Sequence, residues 1–228
     1  MAEPPPDFIP PPWLVWLRKH IWAISFVLAI VSITALRPFM RNIPDPPPVM
    51  FTLPDYSAWE LVDHRERPFT PDTLRGKVWV AAFIFTRCPS TCPAVTRAML
   101  DLRERFDRND IDVEFVSISV DPVNDTPAVL AAHAEEVGAD HEAWRFVTGD
   151  LAAIKSLAED GFHLGVGERT DQEGGLYDIA HSTKLALVDQ EGNVRGFYGL
   201  DPTPNVDGGL AGLYERADRV MMEGLQEQ

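Results

Sequence analysis

Cys88 and Cys92 are the only cysteines of this 228-residue chain. Spaced C-x-x-x-C, two thiols in an otherwise cysteine-free protein fit redox exchange or metal binding better than a structural staple, because closing so short a loop removes little unfolded-state entropy. The apolar run Val78 to Phe85 leads into them, and Pro93, tolerated at a first helical position, follows. The thiols are therefore expected at a strand-to-helix turn, where backbone N–H groups and the positive end of a helix favour thiolate. If one helical turn joins them, both sulfurs lie on the same face and either bridge each other or share one soft ion, Cu(I) or Zn.

Two sulfurs complete neither a tetrahedral zinc site nor a trigonal copper site, so a third ligand is required, and histidine is its natural source. Six histidines compete. His20 belongs to an N-terminal apolar segment, His64 to an early polar turn and His133 to a helix, while His141 and His163 fall in or beside loops. His181 stands just before a predicted strand, Thr183 to Val188, and next to a glycine-rich stretch, which places it over the end of the sheet where the thiols lie. Spacing alone leaves the choice open.

The elements that must position these groups alternate. Strands are expected over Trp59 to Asp63, from Arg67 to Thr70, over the nearly all-apolar Val78 to Phe85, and over Ile111 to Val120 and Trp144 to Thr148. Helices are expected over Ala94 to Arg108, Ala128 to Val137 (capped by Asp125 or Thr126), Leu151 to Glu159 (capped by Asp150) and Gly208 to Leu225. Thr183 to Val188 and Val194 to Tyr198 flank the turn residues 189–193 and read as a hairpin. This order calls for an α/β sandwich with parallel central strands and an antiparallel edge. Residues 161–180, rich in glycine and charge, read as an inserted surface loop.

Ahead of this domain, residues 1–12 are a proline-rich, disordered tail. Residues 13–37 follow as a transmembrane anchor: Ile21 to Leu36 carries no charge, and its 16 residues span about 24 Å against a hydrocarbon core of ~30 Å. Leu14 to Leu17 supply the missing length if Arg18 and Lys19 snorkel, and Trp13, Trp16 and Trp22 suit an interfacial belt. The absence of a small-x-small cleavage site favours an uncleaved anchor. Residues 38–54 hold a second proline cluster and read as a linker, leaving 55–228 as the globular domain. Formal charge is −15, and because the first 41 residues carry four basic against two acidic side chains, the remainder carries −17. That balance excludes a nucleic-acid backbone as partner.

Thr86-Arg87-Cys88-Pro89-Ser90-Thr91-Cys92-Pro93 resembles the Sco/SenC family. So do Ser119-Val120-Asp121-Pro122 with Asp125-Thr126-Pro127, Trp144 with Gly149, and His181-Ser182 leading to Leu187-Val188-Asp189 with Gly192. The likeness runs in order from about residue 50 to residue 224. It implies a membrane-anchored, thioredoxin-like α/β sandwich, with a central mixed sheet flanked by helices. It also implies copper, Cu(I) or Cu(II), held by Cys88, Cys92 and His181, and a role in assembling cytochrome c oxidase. The expected partners are the copper-centre subunit of a haem-copper oxidase, an upstream copper donor and a thiol-disulfide reductant. The resemblance places the soluble domain in the bacterial periplasm, on the inner membrane, or alternatively in the mitochondrial intermembrane space; the lack of an Arg-rich presequence favours the periplasm. Asp121 would polarise the site or simply form a turn. Two further activities use the same thiols. A thiol-disulfide reductase, keeping the oxidase's cysteines reduced, needs only Cys88 and Cys92, and a peroxidase is suggested by Arg87 beside Cys88.

Overall fold

The computed structural model describes residues 11–41, 46–54, 61–88, 92–171, 177–179, 181–203 and 208–226, in two compact units, Met1–Asp45 and Pro46–Gln228. In the first, helix α1 (Pro12–Arg41) is long and apolar enough over Pro12–Ser32 to cross a membrane, and Trp13, Trp16 and Trp22 stand exposed on it. The helix continues through Pro38 to Arg41, beyond the expected end of the anchor.

The second unit is built on one mixed sheet. Its strands and helices run β1 (Phe51–Thr52), β2 (Leu61–Asp63), β3 (Pro68–Phe69), β4 (Trp79–Ile84), α2 (Cys92–Arg108), β5 (Glu114–Ser119), α3 (Pro127–Glu136), β6 (Trp144–Gly149), α4 (Leu151–Ser156), β7 (Arg169–Asp171), β8 (Tyr177–Ile179), β9 (Leu185–Val188), β10 (Asn193–Tyr198) and α5 (Leu210–Gln226). Across the sheet the order is β1-β10-β9-β4-β5-β6-β2-β3, with β7 and β8 forming a separate pair. β4, β5 and β6 are parallel, in register from Trp79 against Glu114 and from Phe115 against Trp144, and β9 lies antiparallel on the other side of β4. Helices α2 and α5 pack on each other and on β4 and β10 respectively, while α3 and α4 pack on β6.

Every residue of β4 and β5 is buried, as expected of strands covered on both faces. Trp144 stacks on Phe146, and its indole N–H donates to Ser117 Oγ at 3.0 Å, so the largest core side chain leaves no polar atom unmet. Helix α2 buries Val95, Met99, Leu102 and Phe106, spaced by four, three and four residues.

Two stretches depart from the sequence reading. Residues 46–54, read as linker, lie against the sheet: Phe51–Thr52 pair with Val194 and Asn193, Leu53 is buried, and Arg195 Nε donates to the Pro47 carbonyl at 2.7 Å. Proline density hid a two-residue edge strand, because such a strand needs only the N–H groups of Met50 and Leu53, which donate to Val194 and Gly192 carbonyls. The expected loop 161–180 contains the β7–β8 hairpin, with Arg169 opposite Ile179. Its three-residue strands are too short to show alternation.

Candidate functional site

Strand β4 ends at Ile84, and Phe85 carries the chain, fully buried, to Thr86 and the thiols. Cys88 is 7% exposed and Cys92 6%, and both are present as thiols. The Cys88 N–H donates to the Phe85 carbonyl (3.3 Å), turning the chain out of the sheet. Cys92 is the first residue of α2, and its backbone N–H donates to Cys88 Sγ at 3.4 Å. The strand-to-helix placement is as expected from the sequence; residues 89–91, on which a single connecting helical turn would depend, lie outside the described residues.

The expectation of an activated thiolate at the helix terminus does not hold for Cys92. Burial pushes its thiol far above the usual range. The Phe85 N–H, 3.5 Å from the sulfur, opposes that shift, while Cys88 and the carboxylate of Asp125 add to it. Desolvation thus outweighs the helix end and favours the neutral thiol of Cys92.

Cys92 and His181 come together across 89 positions of sequence: Sγ and Nε2 are 3.7 Å apart. Nδ1 of His181 lies 3.0 Å from the Ser182 carbonyl, which accepts only, so Nδ1 carries the proton and Nε2 turns its lone pair toward the sulfur. The ring stands edge-on to Phe85, centroids 5.7 Å apart. His181 reaches this position because it falls between β8 and β9, where the chain leaves the small hairpin for the sheet. Among the described residues, no three His, Cys, Asp or Glu side chains stand close enough together to enclose a metal ion as they are. The preformed part of the site is the Cys92–His181 pair, with Cys88 tied to it through the Cys92 amide.

Asp125, which sequence reading treated as a capping candidate, has another position. Thr126 caps α3, its side chain accepting from the Val129 N–H. Asp125 is fully buried and accepts from the Thr86 N–H (3.0 Å), the Thr86 hydroxyl and the Ser119 hydroxyl (2.6 Å). It thereby fastens the segment entering the thiols to the end of β5. Asp121 makes a turn, accepting from Asn124 Nδ2 with both carboxylate oxygens and from the Asp125 N–H with its carbonyl. The signal for Asp125 was present in the spacing Asp121-x-x-x-Asp125, but local sequence does not show that its partners are Thr86 and Ser119.

A cavity of about 390 Å³ opens on the thiols between α2 and α3, and His133 stands in its wall with Thr96, Arg97 and Glu136. His181 faces a different groove, bordered by Glu159, Gly165, Val166 and Gly167. Of the remaining histidines, His64 is buried with Nδ1 accepting from the Phe146 N–H (3.1 Å), His141 Nδ1 accepts from the Ala143 N–H (3.1 Å), and His163 packs on Phe51.

The chain is similar to known proteins. The SCO1 protein homolog of Bacillus subtilis is 33% identical over 138 residues, 60% of this chain and 69% of its own length. The structure of BsSco superposes with a TM-score of 0.62 at 27% identity, covering 77% of this chain and 98% of that one. BsSco is described as a member of the Sco family of cytochrome c oxidase assembly proteins with a disulfide switch. Arabidopsis thaliana ScoI, solved with copper bound, superposes with a TM-score of 0.60 at 25% identity, covering 74% and 99% of the two chains. The mixed sheet with flanking helices is the thioredoxin-like fold of these structures. The SCO1/SenC family model matches residues 53–206, from the first buried residue after β1 to the segment before α5, and the chain belongs to that family.

Proposed function

We propose that this protein is a copper metallochaperone that holds copper through Cys88, Cys92 and His181 and hands it to the binuclear copper centre of a haem-copper oxidase subunit. The observation that carries the reading is the 3.7 Å approach of His181 Nε2, lone pair forward, to the sulfur of Cys92. Two soft sulfurs and one borderline imidazole suit copper in either oxidation state, thiolates favouring Cu(I) and imidazole accommodating Cu(II). Burial raises the Cys92 pKa, and because metal capture displaces thiol protons, binding releases protons and weakens as pH falls. Copper-bound Sco structures and the oxidase-assembly role described for BsSco support the cargo and the partner.

A second reading uses the same thiols as a dithiol reductant for the oxidase's copper-site cysteines. The Cys92 N–H directed at Cys88 Sγ favours Cys88 as the attacking sulfur, and the disulfide switch described for BsSco is in keeping with it. Helix α1 would anchor the protein in the inner membrane, with the soluble domain in the periplasm, where an oxidase copper centre, a copper donor and a reductant would all meet it.

Titration of the reduced full chain in detergent with Cu(I) and Cu(II), alongside Cys88→Ala, Cys92→Ala and His181→Ala, tests the first reading. Wild-type protein binds one copper, each cysteine variant loses tight binding, and His181→Ala weakens it and alters the Cu(II) absorption bands. Wild-type affinity in His181→Ala would remove the histidine from the ligand set. Reduction of an oxidised oxidase fragment by metal-free protein, abolished in Cys88→Ala but not in His181→Ala, is the result expected of the second reading.

A further inference from the structure

We infer that the cavity between α2 and α3 is the passage by which a soft monovalent cation reaches and leaves the buried thiols, and that the His133 imidazole in its wall is a transient ligand along it. The inference rests on the copper reading above and adds a route to it. Both cysteines are buried, so a cation reaches them through an opening, and the cavity that includes Cys88 and Cys92 in its lining is bounded by α2 and α3 rather than by His181. On the other side the His181 ring stands against Phe85 and faces the separate groove beside Glu159.

The wall of the passage carries donors graded in softness. Glu136 and His133, three residues apart on one face of α3, give a carboxylate and an imidazole; Cys88 and Cys92 give the sulfurs. Glu136 is exposed, His133 half-buried and the cysteines buried, so hard, borderline and soft donors follow in that order inward and draw a soft cation with them, each exchange being favourable. Among the described residues no hydrogen bond engages the His133 ring nitrogens. Its ring is held by edge-on packing against Phe146, centroids 5.8 Å apart. Burial lowers the His133 pKa, the nearby Glu136 and Asp125 only partly opposing it, which favours the neutral ring with a lone pair to offer. Among the described residues of the lining the one cation is Arg97, which is directed along its own helix toward Asp101 at 3.5 Å.

Transfer of Cu(I) from the loaded full chain, in detergent, to an excess of a chromophoric Cu(I) chelator measures the passage directly. His133→Phe keeps an aromatic ring against Phe146 and removes the donor, and Val137→Trp narrows the opening without touching a ligand. Both are expected to leave equilibrium Cu(I) affinity unchanged while slowing transfer roughly tenfold, the scale at which groups around a metal site act. Wild-type transfer rates in both variants, with tight binding intact, would overturn the passage alone. Weakened equilibrium binding in His133→Phe would make His133 a resident ligand and overturn its transient role. Failure of the wild-type chain to bind Cu(I) would remove the copper reading and the passage with it.

Discussion

At the scale of single residues, the site depends on groups that touch no ligand. Asp125 has three donors directed at a carboxylate sealed from water, and hydrogen bonds to a buried charge are among the stronger ones. Asp125→Ala leaves the Thr86 N–H and two hydroxyls without their acceptor, and an unfolding measurement in urea should show a loss of about 2–4 kcal/mol. His64 illustrates a different residue-level effect. It is buried, and desolvation together with Arg65 lowers its pKa below the usual histidine value, against the opposing pull of Asp63 and Asp140. A depressed histidine pKa means that the unfolded chain takes up a proton before the folded one does. Stability is therefore full above about pH 6.5, the unfolded value, and declines as pH falls toward the lower folded pKa. Denaturation midpoints measured from pH 7.5 to 5 should show this decline, and His64→Gln should make it shallower, His133, whose pKa burial also lowers, contributing the remainder; an equally steep decline in the variant would assign the effect elsewhere.

Elements bring the site residues to one end of the sheet through short, specific turns. The β9–β10 hairpin that follows His181 is closed by Asp189, whose carboxylate accepts from the N–H groups of Glu191 (3.0 Å) and Asn193 (2.7 Å), and by Gly192 at φ +86°. Beyond the turn, the register of β10 shifts between Val194 and Gly196, and a side chain at Gly196 would meet the Tyr198 hydroxyl at 2.6 Å. Tyr198 is buried and has no room to yield, so Gly196→Ala should cost about 1–3 kcal/mol in a thermal or chemical melt. Element existence was readable from the sequence here, since periodicity and turn residues located β9, β10 and their connection. The register shift was not, because the close approach of the Tyr198 ring to Gly196 exists only in the folded strand.

For the whole molecule, one buried cation joins three distant parts of the chain. Arg195 donates to the Pro47 carbonyl, to Asp189 Oδ2 at 3.0 Å and to Glu223 on α5. The arginine thus fastens the segment that follows helix α1 in the chain to the hairpin next to the site and to the C-terminal helix. Removing one member of such a buried set leaves the others uncompensated, and Asp189 is almost fully covered. Arg195→Ala should lower stability by about 3–5 kcal/mol and expose residues 46–54 to limited proteolysis. Unchanged cleavage would show that pairing of β1 with β10 holds that segment by itself.

The sequence by itself determined whatever depends on near neighbours: a C-x-x-x-C pair between an apolar strand and a helix, an apolar helix long enough to cross a membrane, and the alternation that yields parallel central strands. Local propensity and hydrophobic period carry those features, and they are written within a few residues of one another. Tertiary structure decided which histidine meets the thiols, since His181 approaches Cys92 only once β9 has paired with β4. It also decided the role of Asp125, which lies 39 positions from Thr86 in sequence and beside it in space. Most of all it decided in which direction the Cys92 pKa is moved. A thiol at the first residue of a helix is expected to ionise readily, but closure of the core around it raises the cost of charge, and the degree of burial is a property of the assembled fold rather than of the motif.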